Sequence, residues 1–220
     1  EPRFYSTLGF DRGYNRTWGN LWQLRMKKGE THGRIANSDD YLISGYALKK
    51  LVHPDSEGDS YSKIVTYAWP IIRLSELYLN YAEAVNEYSG PSSDAYNALN
   101  VVRQRAGIQS IESAWGDASI SVNLNKHTTQ EGLREIIRQE RLIELSFEGN
   151  RYNDLRRWKL AEAYFNLPVY GWSVNETTIS NYYNITQVGV RSFNSPRDYF
   201  HPISINEITI NPNLIQNPGW

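Results

Sequence analysis

Four acids crowd the stretch ERLIELSFEGNRYNDLRRW at residues 140–158: Glu140, Glu144, Glu148 and Asp154. Two carboxyl groups facing a sugar from opposite sides would suit glycosidic hydrolysis. Glu140, Glu144 and Glu148 recur every fourth residue, however, so on a helix they point the same way. Arg138, Arg141, Arg151, Arg156 and Arg157 surround them. A guanidinium beside a carboxyl keeps it ionised and unable to act as a general acid. Leu133, Ile136, Ile137, Ile143 and Phe147 mark one helical face, and Glu140 and Glu144 fall on that same face. Acids inside an apolar stripe are costly to bury unless paired. The stretch therefore encodes a structural charge network at a helix–helix corner, broken by Gly149 and closed by Trp158. Its members are Glu140, Arg141, Glu144, Glu148, Arg151, Asp154 and Arg157. The expected partners of Glu144 are drawn from Arg138, Arg141, Arg151 and Arg157.

Other chemistry is sparse. The four histidines, His32, His53, His127 and His201, include no pair at i,i+3 or i,i+4, so a helical metal site is not expected. With no cysteine, disulfides, thiolate metal sites and cysteine catalysis are excluded. Asp39-Asp40 and the alternating Asp55, Glu57 and Asp59 read as solvated turns, since a calcium site needs more ligands. No nucleophile elbow, phosphate loop or dinucleotide fingerprint is present. The sequence thus assigns no catalytic residue, metal or cofactor. A net charge of -1 gives no attraction for nucleic acid, and no 18-residue apolar run exists to form a membrane-spanning helix.

The aromatic residues are the better lead. There are 16 Tyr and 7 Trp against 6 Phe. Tyr and Trp join an apolar face to a polar edge, which suits amphiphilic ligands such as sugars. Trp18, Trp115, Tyr170 and Trp172 stand beside Gly or polar residues and are the glycan-binding candidates. Tyr14, Trp22, Tyr182 and Tyr183 lie in the same stretches, and Asn175, Asn181 and Asn184 could bond sugar hydroxyls. Trp69, Trp158 and Trp220 are expected to pack in the core.

Several elements would position these residues. Residues 1–66 lack helical periodicity and read as loops with short strands. Residues 73–87 form the clearest helix, with Leu74, Leu77, Tyr78, Tyr81, Ala82 and Val85 on one face. After the turn at 90–93, residues 94–106 form a second helix that stops at Gly107. Together they resemble one tetratricopeptide unit, which cannot bury its faces alone and is expected to leave an exposed apolar edge. Residues 107–127 read as a polar loop. Thr128 with Glu131 forms a capping box for a helix reaching about Glu148, and residues 152–165 form the last helix. Residues 166–200 are a Tyr- and Asn-rich insert. Pro202, Pro212 and Pro218 forbid a continuous helix at the end, giving an extended tail pinned by Ile203, Ile205, Ile208, Leu214 and Trp220. The fold class is mainly α: one irregular helical domain over 1–220, with one tetratricopeptide-like pair, long loops and a few short strands.

Four stretches in their shared order resemble the SusD/RagB family. They are Glu1-Pro2-Arg3-Phe4-Tyr5, residues 70–84 (PIIRLSELYLNYAEA), residues 140–158, and the Pro-rich end with Gln216-Asn217-Pro218-Gly219. The resemblance covers nearly the whole chain, with variable inserts near 107–127 and 164–198. It matches the C-terminal half of such proteins. The lipidated cysteine and most helical repeats would belong to an N-terminal half not included, and Glu at position 1 fits an excised fragment. The resemblance implies a non-enzymatic outer-membrane lipoprotein of the cell surface, touching the membrane only through a lipid anchor in that N-terminal part. It implies that the protein captures an oligosaccharide or other nutrient ligand and hands it to a SusC-type TonB-dependent transporter. Two alternatives stay open from the residues: a helical-repeat scaffold binding only protein, and a glycoside hydrolase.

Overall fold

The computed structural model describes residues 1–17, 20–35, 41–56 and 63–220. It divides into two units, one of residues 1–25 and 46–149, the other of residues 26–45 and 150–220.

In the first unit, helix α1 (Pro2–Thr7) has Pro at its start, where a missing N–H costs nothing. Strand β1 (Leu8–Phe10) pairs antiparallel with β4 (Tyr46–Leu48), and β2 (Tyr14–Thr17) pairs with β3 (Asn20–Gln23). Helix α2 (Leu74–Ser89) and helix α3 (Ser93–Arg105) form the expected tetratricopeptide-like pair. Gly90, at φ +79°, ends the first, and the Ser92 hydroxyl accepts from the Ala95 N–H to start the second. Helix α4 (Ile111–Gly116) lies in the stretch expected to be loop. Helix α5 (Gln130–Glu144) packs against α2. Its cap is Thr129, whose hydroxyl accepts from Gly132 N–H at 3.1 Å, not Thr128. It ends at Glu144, a turn earlier than the spacing suggests. A turn follows, with Phe147 at φ +64° and Gly149 at φ +84°.

The core of this unit joins Leu79 and Ala82 of α2, Ala95, Leu99 and Val102 of α3, Ile111 of α4, and Leu133, Ile136 and Ile137 of α5. The inward face of α2 is narrower than its apolar content suggests. Leu79, Ala82 and Asn86 point inward, while Leu74, Leu77, Tyr81 and Tyr88 form an exposed apolar stripe. The side-chain amide of buried Asn86 donates to Gln130 O at 2.9 Å, and the Asn86 backbone carbonyl accepts from Gln130 Nε2 at 2.7 Å.

In the second unit, residues 150–165 form two helices, α6 (Asn150–Arg157) and α7 (Ala161–Phe165), separated at Lys159, whose φ is +58°. Leu155, Ala161 and Phe193 make a small core flanked by Trp158, Phe165 and Tyr199. The aromatic insert carries strand β5 (Val169–Trp172), helix α8 (Ile179–Tyr182) and strand β6 (Ile185–Gly189), with β5 and β6 antiparallel. The tail contains one short helix, α9 (Ile205–Ile210), between its prolines. Polar bonds hold it more than the expected apolar pins do, since Ile205, Leu214 and Trp220 are exposed. Gln216 brackets Ile203, accepting from its N–H at 2.8 Å and donating to its carbonyl at 2.9 Å. The Trp220 indole donates to Arg197 O at 3.0 Å.

Candidate functional site

Two clusters collect the residues that the sequence singles out. The first is the carboxylate row of α5 and the turn after it. Glu144 is buried, its side chain 1% exposed. Its partners come from distant parts of the chain, where local spacing had pointed to Arg138, Arg141, Arg151 or Arg157. Arg105 donates to Oε1 at 2.7 Å, Arg73 to the same oxygen at 3.1 Å, and Arg3 reaches Oε2 at 3.4 Å. Glu140, also buried, is met by Arg103 and lies 2.9 Å from the Arg3 guanidinium. Glu148 is held by Lys50 and by a two-pronged bond from Arg73 at 2.7 and 2.8 Å. Arg141 bonds Asn80 at 2.5 Å and faces Glu83 at 3.9 Å.

These contacts shift the titration of Glu148, Arg73 and Arg3. Burial pushes Glu148 up, but the bonds from Arg73 and Lys50 outweigh it and hold its carboxyl below the ordinary glutamate value. Arg73 is raised by its bonds to Glu148 and Glu144 against the cost of burial. Burial lowers Arg3, yet Glu1 and Glu140 raise it further, so it stays charged. Beside the row lies a cavity of about 380 Å³, lined by Arg3, Lys50, Arg73, Arg105 and Glu144 among others. Of the carboxylates in this row, Glu148, bonded by Arg73 and Lys50 and held below the ordinary value, has no proton to deliver to a leaving group. Their geometry is that of a brace tying α1, α2, α3 and α5 together. Of the remaining charged residues expected in this network, Asp154 accepts from Arg157 at 2.9 Å within the second unit. Arg151 there lies over the rings of Trp158 and Tyr164, at 5.9 and 5.0 Å from their centroids.

The second cluster is the aromatic ribbon β5–β6. Trp172 opposes Ile185 and Tyr170 opposes Gln187, so the four side chains share one face of the ribbon. Tyr170 is 58% exposed; Ile185 and Gln187 are exposed, and Trp172 is half-buried. The ribbon is firmly seated. Trp172 N–H donates to Ser44 O at 3.1 Å. A Cβ on Gly171 would come within 2.7 Å of Ser44 Cα, so only glycine permits this approach. Tyr183 meets Trp172 edge-on at 5.4 Å, and buried Tyr182 meets Tyr183 edge-on at 5.1 Å. The result is a fixed aromatic surface with an outward Tyr ring and a cross-strand amide.

The remaining candidates fall elsewhere. Trp115 sits on α4, half-buried against the helical core, with the Arg103 guanidinium 5.2 Å from its ring centre. Trp18 lies outside the described residues, as do Asp39, Asp40, Glu57 and Asp59. Among the described residues no group of His, Cys, Asp or Glu could hold a metal ion, and no helix is long and apolar enough to cross a membrane. Asn175 accepts from Arg34 at 2.5 Å and Asn181 bonds Glu176 at 3.4 Å. Sequence reasoning missed Gln187 and Ile185, which only strand register brings to Tyr170 and Trp172. It also placed Trp69 and Trp220 in the core, whereas both rings are largely exposed.

A tetratricopeptide-like helical pair braced by buried arginine–glutamate pairs, with short strands and long loops, defines a mainly helical repeat-type fold. A sequence model of the SusD family matches residues 1–220, and the chain belongs to that family. It is 34% identical over 151 residues to SusD-like protein P2 of Formosa agariphila, a match covering 68% of this chain and 25% of that protein. It is 28% identical over 189 residues to the starch-binding protein SusD of Bacteroides thetaiotaomicron, covering 84% and 26%. The crystal structure of a SusD-like protein from Bacteroides fragilis superposes with a TM-score of 0.79 at 27% identity, over 100% of this chain and 39% of that one. The chain thus spans about a quarter of the length of the curated relatives it matches.

Proposed function

We propose that this chain is the C-terminal part of a non-catalytic, lipid-anchored protein of the outer-membrane surface. It binds glycan and delivers it to a SusC-type TonB-dependent transporter. The observation that carries the reading is the β5–β6 face. Tyr170 offers an open ring against which the C–H face of a pyranose packs, and Gln187, directly across the strand pair, offers an amide for its hydroxyls. Family membership and the starch-binding relative support a glycan as the ligand. The engagement of Glu140, Glu144 and Glu148 by cations supports binding without turnover.

The test is calorimetric titration of the chain with soluble oligosaccharides, together with the Tyr170→Ala variant. Loss of one ring face should weaken binding by about 1–3 kcal/mol and leave the melting temperature unchanged. Unaltered affinity in Tyr170→Ala would remove the ribbon from the binding surface. Release of reducing ends, abolished by Glu140→Gln, would favour a hydrolase instead. One observation favours a scaffold reading: the exposed stripe of Leu74, Leu77, Tyr81 and Tyr88 on α2 suits a protein contact. A chain that binds no glycan yet retains a transporter would establish that reading.

A further inference from the structure

The segment before α2 carries a second aromatic array that the charge network and the ribbon do not use. Trp69 is 61% exposed and Tyr67 42%. Their rings are near-parallel, 6.3 Å between centres and 29° between planes. The imidazole of His53 continues the row, 6.4 Å from Tyr67 at 36°. Pro70 disfavours the helical conformation at Trp69, and in an extended segment residues 67 and 69 project to the same side. The array is also held. The Tyr67 hydroxyl donates to Leu51 O at 2.8 Å, and the His53 Nδ1 accepts from the Asp55 N–H at 3.3 Å. A hydroxyl committed to the backbone leaves Tyr67 its ring face as the surface it offers. Such rings, kept in water and not folded into the nearby helical core, suit a ligand with repeating apolar faces and a polar rim.

We infer that His53, Tyr67 and Trp69 form a second glycan-binding platform, on the first unit, for an uncharged oligosaccharide of at least two pyranose residues. The spacing of the rings, 6.3 and 6.4 Å, is comparable with one sugar residue, so neighbouring sugar residues would contact neighbouring rings. Asp55, exposed beside His53 with its carboxylate 3.9 Å from the imidazole, supplies an acceptor for sugar hydroxyls. The same carboxylate disfavours uronic acids and sulfated sugars by like-charge repulsion. The inference rests on the glycan-binding reading above and adds a site to it.

The experiment is calorimetric titration of the chain with neutral hexasaccharides (cello-, xylo- and malto-oligosaccharides) and with an oligogalacturonate as the acidic probe. The variants are Tyr170→Ala, Trp69→Ala, Trp69→Phe and the Tyr170→Ala/Trp69→Ala pair. Tyr170→Ala should keep residual affinity for a neutral oligosaccharide, and adding Trp69→Ala should lower it at least tenfold. Trp69→Phe, which keeps a ring, should retain most of it. Melting curves of the Trp69 variants should match the parent, because an exposed ring supports little of the fold. If the parent binds a neutral glycan and Trp69→Ala binds it equally well, the platform is refuted while glycan binding through the ribbon stands. Preference for the oligogalacturonate at Trp69 would overturn the assignment of an uncharged ligand. If the parent binds no member of the panel, both the platform and the glycan-binding reading fall.

Discussion

Removing Glu144 tests the bracing role of the charge network most sharply. In Glu144→Ala three guanidinium groups lose a shared carboxylate, and they do not lose equally. Arg105 is 58% exposed, so water replaces its bond and the loss is that of a surface pair, about 0.2–1 kcal/mol. Arg3 is buried but keeps Glu1 and Glu140; Arg73 keeps its two-pronged bond to Glu148. Breaking a buried pair from one side costs roughly 3–5 kcal/mol, and the surviving partners of Arg3 and Arg73 place Glu144→Ala near the lower end. For a chain of this size that is a fall in melting temperature on the order of 10 °C. Arg105→Ala is the internal control and should cost less than about 1 kcal/mol. Urea denaturation followed by circular dichroism measures both. A Glu144→Ala variant no less stable than Arg105→Ala would refute the claim that Glu144 holds helices together through buried charge.

Other expectations follow from the same geometry. Glu148 and Glu87 are held below the ordinary value of 4.5, Glu148 by Arg73 and Lys50 against burial and Glu87 by Arg134. A carboxyl lowered by folding contributes stability above its unfolded value and loses it as pH falls through its folded value. The urea midpoint should therefore drop on acidification below 4.5, and Glu148→Gln should flatten that limb; an unchanged limb would show that the ion pairs do not outweigh burial. Gly171→Ala drives a Cβ to 2.7 Å from the Ser44 backbone, so the ribbon must shift at a cost of about 1–3 kcal/mol. Near-ultraviolet circular dichroism, reporting the packing of Trp172 and Tyr183, should change in that variant. Thr129→Ala removes the hydroxyl that accepts from Gly132 and should cost about 1 kcal/mol, whereas Thr128→Ala should be close to neutral by thermal melting.

The sequence by itself determined the helical pair, the run of α5, and the fact that acids on its apolar face must be paired. Each is written locally, in a 3.6-residue period, in Gly90 and Ser92 at a turn, or in Glu140 and Glu144 among isoleucines. Helix ends were less legible. The local pattern pointed to Thr128 as cap and to an end near Glu148, whereas the hydrogen bonds put the cap at Thr129 and the end at Glu144. What only the tertiary structure decided was who meets whom. Arg3, Arg73, Arg103 and Arg105 lie 37 to 141 residues from the acids they hold, and no spacing rule reaches that far. The apolar stripe of α2 is wider than its neighbours can cover, so the sequence could not say which part faces inward. The same holds for the aromatics. Trp115 sits in a polar stretch and Trp69 ends a short apolar run at 64–69, yet Trp115 is drawn against a core and Trp69 is left in water. An aromatic side chain gains from burial wherever a cavity of its shape exists, and that cavity is made by residues distant in the chain.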